Sequence, residues 1–301
     1  MQLDQLRAFL AVAEAGGFTR AAQTLASTQP TLSRQVKQLE DSLGQRLLDR
    51  LGRRVELTPF GEAFALKARP LLQQADELMS AGKHEEGVLT GELRIGVADS
   101  VVLSRFPRVI ERFKRHHIEV HVHIKTATSP EILRWVREGR LDAGLCMLPE
   151  THPGLLLRPL WNDRFVAISA PCHALAGMTV PLDVFAAQRQ IVIRPGTLSH
   201  QLLTSAYQAE GLSLLPDMEF DNFHLITEFV AAGVGVGISS STVAKPFLER
   251  GRVAQVRIRA LDGLRRRLGL VLHADRAQSG PLAALVREVN RAVRPRPQSV
   301  R

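Results

Sequence analysis

Residues 16–44 read GGFTRAAQTLASTQPTLSRQVKQLEDSLG. The second half of this stretch decides the N-terminal fold. Thr28 is a helix cap, and Pro30 falls in the first turn, where a missing N–H costs nothing. The helix it opens runs to about Leu43, and Gly44 supplies the stop. Leu32, Val36, Leu39 and Leu43 recur at i, i+4, i+7 and i+11, so they face one way into a core. The opposite face carries Gln29, Thr31, Ser33, Arg34 and Lys37, all donors or cations, with no acid until Glu40. One buried face and one donor-rich face, after a short helix and a tight turn, are what a reader of the DNA major groove requires.

The flanks agree with this. Upstream, Leu3, Leu6, Phe9, Leu10 and Val12/Ala13 keep helical spacing until Gly16-Gly17, and Thr19 is read as the cap of a short helix from Arg20 to Leu25. Downstream, LLDRLGRRVELT (residues 47–58) places two short extended runs around Gly52-Arg53-Arg54. Such a basic hairpin tip suits phosphates, and Arg53 and Arg54 are its candidates. Residues 59–88 form one long helical stretch with an apolar stripe of Phe60, Phe64, Leu71, Leu72, Ala75, Leu78 and Met79. A lone helix cannot bury that stripe, so pairing with a second copy is expected. Pro70 should bend it or loosen a turn, and Gly82 to Gly91 reads as a hinge.

From residue 92 the pattern changes. ELRIGVA (92–98), VHVHI (120–124), LDAGLCM (141–147), RFVAISA (164–170), QIVIR (190–194) and GVGISS (235–240) read as strands. Helical patterns at 101–116, 130–138, 198–210, 223–232 and 281–293 fall between or after them. This alternation predicts α/β sheets with ligands at the strand ends. Ser100 opens a helix directly after the first strand, and Ser129-Pro130-Glu131 caps the next beside Thr128. Helix starts of this kind favour anions, although Ser and Thr there equally serve as simple caps. Asp99 would repel a carboxylate ligand and would instead pair with an amino or guanidino group.

Composition sets the bounds. The 301 residues allow two domains, with 45% hydrophobic and 23% charged residues. The net charge of +9 is not where a DNA reader would need it. Residues 1–90 hold eleven Lys/Arg and eleven Asp/Glu, while residues 249–301 hold thirteen Arg and four acids. Arg265-Arg266-Arg267, Arg294, Arg296 and Arg301 therefore read as a solvated basic tail. Cys146 and Cys172 form no metal-type pair or disulfide framework, and Cys146 reads as a small buried residue. The start MQLDQLRAFL lacks a signal-peptide pattern, and no run approaches the roughly 20 apolar residues of a membrane span, so a cytoplasmic location is expected. His121 and His123 share a strand face near His116 and His117. An exposed strand is the expected reading, and no metal site is assigned. Gly233, Gly235 and Gly237 have the wrong spacing and the wrong flanks for a dinucleotide loop. No nucleophile elbow, P-loop or HExxH motif occurs, and Ser239-Ser240-Ser241 has no His partner nearby in sequence, so neither an enzyme nor a cofactor is expected.

The chain resembles the LysR-type transcriptional regulators over essentially its whole length. GGFTRAAQTL (16–25), TQPTLSRQVKQLE (28–40), LG and LLDR (43–50) and LTPFGE (57–62) carry the likeness, with ELRIGVA, GRLDAGL (139–145) and VAAGVGVGI (230–238) as weaker support. The resemblance implies an N-terminal winged helix-turn-helix over 1–58, a dimerising linker helix and hinge over 59–90, and an effector-binding domain over 91–301. That domain would be an α/β two-lobe fold like periplasmic binding proteins, with one lobe over 91–162 and 268–296 and the other over 163–267. Two crossover strands would join the lobes, and a small-molecule effector would bind between them. The family pattern carries DNA contact onto Gln29, Pro30, Ser33 and Arg34. Gln29 would face an adenine edge, Pro30 a thymine methyl and Arg34 a guanine or a phosphate, with Thr31 and Lys37 at phosphates. Effector contact carries onto Ser100 and Thr128, with Asp99 and Ser129 beside them, and onto the loop Pro195, Gly196, Thr197 and Ser199. The implied partners are an interrupted inverted repeat at a promoter, a second copy of the chain, a tetramer built from two dimers, and RNA polymerase.

Overall fold

The structure is a computed structural model that describes residues 1–51, 54–81, 89–102, 106–274 and 280–293. The chain divides into two compact units, Met1–Val88 with Glu138–Arg140, and Leu89–Arg137 with Leu141–Arg301.

The first unit begins with three helices, α1 Leu3–Ala15, α2 Phe18–Thr24 and α3 Gln29–Leu43. A two-stranded antiparallel hairpin follows, β1 Leu48–Leu51 and β2 Arg54–Leu57. The long helix α4 spans Pro59–Ala81. Leu6, Phe9, Val12, Leu32, Val36, Leu39 and Leu47 form its core. Thr28 caps α3 as its sequence predicts, accepting from the Thr31 N–H, and Gly44 closes the helix in the left-handed region at φ 65°. Helix α2 differs from expectation. It starts at Phe18 with Gly17 in the capping position, and no side chain caps it. The Phe18 ring is drawn into the core at 9% exposure, which places Thr19 inside the helix rather than ahead of it.

Helix α4 runs through Pro70 without a break in its assignment. It does not carry a single outward stripe. Ala65, Ala68 and Leu72 are buried in the unit's own core, and the Phe64 ring meets Phe9 at 5.8 Å. Phe60, Leu71 and Leu78 stay exposed, Leu78 at 77%. Residues 82–88 of the expected hinge, Arg53 of the hairpin tip and the Arg54 side chain lie outside the described residues, as do Ser100's side chain and Arg294, Arg296 and Arg301.

The second unit alternates strands and helices in chain order: β3 Gly91–Val97, α5 Asp99–Val102, α6 Phe106–His116, β4 Val120–Thr126, α7 Ser129–Arg137, β5 Ala143–Met147 and β6 Leu155–Ser169. Then come α8 Leu182–Ala186, β7 Gln190–Ile193, α9 Leu198–Ala209, β8 Met218–Phe220, α10 Phe223–Ala231, β9 Val236–Ser240 and α11 Ser241–Glu249. β10 Ala254–Val256, β11 Arg265–His273 and α12 Gly280–Val293 complete it. Of the helix expected over 101–116, α5 and α6 hold the described residues, and 103–105 lie outside them.

The strand order is β4-β3-β5-β11-β6-β9-β7-β8, with β10 also on β6. Strand β6 explains the two-lobe form. Its first part, Leu155–Arg164, pairs antiparallel with β11, and its last residues turn to β9 and β10. One lobe buries Leu93, Ile95, Phe113, Leu270 and Leu285; the other buries Phe185, Ile191, Tyr207, Ile226 and Ile238. Inside the second lobe the Tyr207 hydroxyl donates to the Gln190 side-chain oxygen. Among the described residues no helix is long and apolar enough to cross a membrane.

Candidate functional site

Two surfaces carry chemistry, one in each unit. On α3, burial of Leu32, Val36 and Leu39 leaves Gln29, Pro30, Thr31, Arg34 and Lys37 exposed and Ser33 half-buried. The Thr31 hydroxyl lies 2.8 Å from the Thr28 hydroxyl, so it helps to shape the helix start. Glu40 is turned to structural use. It accepts from the Leu47 and Leu48 N–H groups at 2.7 and 3.1 Å, tying α3 to β1. The exposed turns from Gln29 to Lys37 therefore carry no acid. Thr58 repeats this logic at α4: its hydroxyl donates to Arg46 O at 2.7 Å and accepts from Gly61 N at 2.9 Å.

The second surface is a cleft of about 280 Å³ between the two lobes of the second unit. From the first lobe, the end of β3 contributes Ala98 and Asp99, and the β4–α7 junction contributes Thr128, Ser129, Glu131 and Trp135. From the second lobe come Arg194, Thr197, Ser199, Asp221, Asn222 and Phe223, and from β11 comes Arg266. The structure thus brings together Asp99, Thr128, Ser129, Thr197 and Ser199 of the sequence-predicted set. Pro195 and Gly196 are exposed and do not line the cleft.

The helix starts here are already satisfied from within, which the sequence reading did not anticipate. Thr128 donates its N–H at 3.0 Å and its hydroxyl at 2.6 Å to Glu131, and these bonds hold the Glu131 carboxyl below its ordinary value. The Thr197 hydroxyl accepts from His200 N at 3.0 Å and donates to Arg194 O at 3.2 Å. Asp99 shows the opposite tendency: burial, then the charge of Asp221, pushes its carboxyl up.

Behind the cleft sits a buried polar cluster. Arg266 Nη1 donates to Asp163 Oδ2 at 2.6 Å, and the Ser240 and Ser241 hydroxyls donate to the same carboxylate at 2.5 Å each. Arg266 Nε also donates to the Ser199 hydroxyl at 3.2 Å. Burial alone would push the Asp163 carboxyl up, but Arg266 and these hydrogen bonds outweigh it and hold the carboxyl low. One expectation is corrected. Arg265 and Arg267 are solvated, but Arg266 alternates inward on β11 and is 3% exposed. Ser240 and Ser241 serve a carboxylate that is distant in sequence.

Sequence reasoning passed over Asp163, Arg194, Asp221, Phe223 and Arg266 as site residues. A signal existed only at Asn222, whose side chain caps α10 through Leu225 N at 2.9 Å. Cys146 is buried, and burial pushes its thiol up to about 12, while Cys172 is exposed. His121 and His123 are exposed on β4 with ring centroids 6.4 Å apart. Among the described residues no three metal-capable side chains cluster.

A helix-turn-helix unit joined to a two-lobed α/β unit with a cleft defines a ligand-responsive DNA-binding regulator. The comparisons specify which kind. The family descriptor "Bacterial regulatory helix-turn-helix protein, lysR family" matches residues 3–62, and "LysR substrate binding domain" matches residues 86–294. The chain belongs to the LysR family and is a DNA-binding transcriptional regulator with an effector-binding domain, not an enzyme. It is 31% identical to a probable hydrogen peroxide-inducible genes activator of Streptomyces viridosporus, over 96% of this chain and 94% of that protein. Its fold is similar to that of a full-length OxyR variant from Pseudomonas aeruginosa, with a TM-score of 0.76 and 23% identity, covering 98% of this chain and 95% of that one. It is also similar to CbnR solved in complex with its target DNA, with a TM-score of 0.63 and 22% identity, covering 97% and 100%.

Proposed function

We propose that α3 reads operator base edges through Gln29, Pro30, Ser33 and Arg34, with Thr31, Lys37 and the hairpin arginines Arg53 and Arg54 on phosphates. The observation that carries this is the exposed, acid-free face from Gln29 to Lys37, held rigid by Leu32, Val36 and Leu39 in the core. The fold likeness to CbnR, itself solved on its target DNA, supports the same mode of docking. The operator is an interrupted inverted repeat, read by a dimer paired through the exposed side of α4. Two such dimers form the working tetramer on a promoter in the cytoplasm, where it engages RNA polymerase. A small molecule in the cleft, contacted by Asp99, Ser100, Thr128, Ser129, Thr197 and Ser199, sets the response. The domain limits are those expected from the sequence, 1–58, 59–90 and 91–301. The buried Cys146 thiol favours ligand binding over thiol oxidation as the signal.

Footprinting on the DNA upstream of the chain's own gene tests this. The wild type should protect half-sites spaced by whole helical turns, about 34 Å each. Gln29→Ala with Arg34→Ala should lose that protection. No specific protection by the wild type, at low or moderate salt, would remove the operator-reading role from α3.

A further inference from the structure

The charges that line the cleft do not balance, and the imbalance specifies what enters it. Among the described residues five ionisable side chains face it: Asp99, Glu131, Arg194, Asp221 and Arg266. Arg266 is neutralised from behind by Asp163 at 2.6 Å. Glu131 takes both Thr128 donors and feels the charge of Arg194, so those two groups offset each other. Asp99 and Asp221 remain. They stand on opposite lobes, and among the described residues neither meets a cation. Among the described residues Asp221 accepts from its neighbour Asn222, at 3.1 Å.

An ionised carboxylate is an acceptor with no proton to give. Two of them facing one confined space repel each other, and the rise of Asp99 is partly the mark of Asp221. The Thr128 and Thr197 hydroxyls, which could donate to an anion, instead donate to Glu131 and to the Arg194 carbonyl. Among the described residues the cleft thus presents three carboxylates, Asp99, Glu131 and Asp221, against the guanidinium of Arg194, since Arg266 is matched by Asp163. A ligand fits that bears several N–H donors and a positive charge. The Trp135 indole and the Phe223 ring add apolar walls for its carbon chain. At about 280 Å³ the cleft lies near the small end of small-molecule pockets, which span roughly 300–1,000 Å³.

We propose that the effector of this regulator is a small cation bearing an amino or guanidino group, held between Asp99 of one lobe and Asp221 of the other. This rests on the reading of the cleft as the effector site; the acidity specifies only the ligand class. Such a ligand bridges the two lobes and relieves their mutual repulsion, so binding favours the closed arrangement of the cleft.

The test is isothermal titration of the full chain with agmatine and putrescine as cationic probes. N-butylurea serves as a neutral analogue, succinate and benzoate as anions, and magnesium chloride as the bare metal. The expected result is saturable binding of a cationic probe, without binding of the neutral analogue. Asp99→Asn and Asp221→Asn should each weaken that binding by about 10- to 100-fold, the range for losing a charge-assisted hydrogen bond. Their unliganded melting temperatures should not fall, because each removes a repulsion. Binding of succinate or benzoate, tightened by Asp99→Asn, would overturn the cationic class and keep the cleft as the effector site. Magnesium binding alone, lost in both variants, would overturn it in favour of a metal. Cation binding that both variants retain would place the ligand elsewhere and overturn the proposal. Absence of binding by every probe would overturn the cationic class together with the cleft reading.

Discussion

Arg266 on β11 and Asp163 on β6 form a 2.6 Å ion pair in which both side chains are buried, at the point where the chain passes between the lobes. Removing one partner strands the other charge in a medium that cannot hydrate it. Arg266→Met should therefore destabilise the effector domain by about 3–5 kcal/mol. Adding Asp163→Asn should recover most of that loss. Urea unfolding of the full chain, following the effector-domain transition, checks this; equal loss in the single and double variants would refute it. The pair's pH dependence has a fixed sign. The folded Asp163 carboxyl titrates below the unfolded value, about 3.9, so its contribution is complete above that pH and is lost as pH falls through the lower, folded value.

Lys37 and Gln29 share an exposed face but should fail differently. Lys37→Ala should weaken DNA binding about equally on all sequences and lower the salt slope by about one. Gln29→Ala should cost about 1–3 kcal/mol of discrimination at one base pair and leave the slope unchanged. Binding titrations at several salt concentrations, on operator and scrambled DNA, separate the two.

Leu71 and Leu78 are exposed in the single chain. If α4 pairs two copies as proposed, their replacement by Glu should leave helical content unchanged and yield a monomer. Light scattering on the eluting protein reads this directly. A double variant that remains dimeric would assign pairing to a different surface.

Gly61 is held by proximity rather than by its dihedral angles. A Cβ there would lie 2.0 Å from the Leu47 carbonyl oxygen, a backbone atom that can move only with the hairpin. Gly61→Ala should cost about 1–3 kcal/mol through overpacking and lower the melting temperature of the N-terminal transition. An unchanged melting temperature would show that the hairpin yields without strain.

Cys172 should react quickly with a thiol reagent at pH 8, and Cys146 only on unfolding. Burial raises the Cys146 thiol to about 12 from 9.0, so it is protonated and inert at pH 8. The same shift makes stability fall as pH rises from about 9 toward 12, since the unfolded thiol ionises first. Immediate labelling of both cysteines in the native protein would contradict the burial.

The helix-turn-helix was legible because its determinants are local. The cap at Thr28, the stop at Gly44 and the spacing of Leu32, Val36 and Leu39 all lie within one helix. Strands β3, β4, β5, β7 and β9 and the end of β6 were legible for the same reason, whereas β8, β10, β11 and the first part of β6 were not read from the pattern. The cleft was legible only in part. Asp99, Thr128 and Thr197 follow strands or open helices, which marks them in the sequence. Asp221 follows β8, a three-residue strand that the sequence pattern does not show, and Arg266 carries no such mark. Arg266 sits in a run of three arginines that reads as solvated, and the alternation of β11 alone turns it inward.

The sequence by itself determined which segments become helix and strand, because capping, periodicity and turn residues act over a few positions. Only the tertiary structure decided which charges face one another. Asp163 and Arg266 are 103 positions apart, Asp163 and Ser240 are 77 apart, and Asp99 and Asp221 belong to different lobes. Their neighbourhood is created when β6 and β11 pair antiparallel and the lobes close around them. Coulomb and hydrogen-bond energies depend on distance and burial in space, and neither can be read from spacing along the chain.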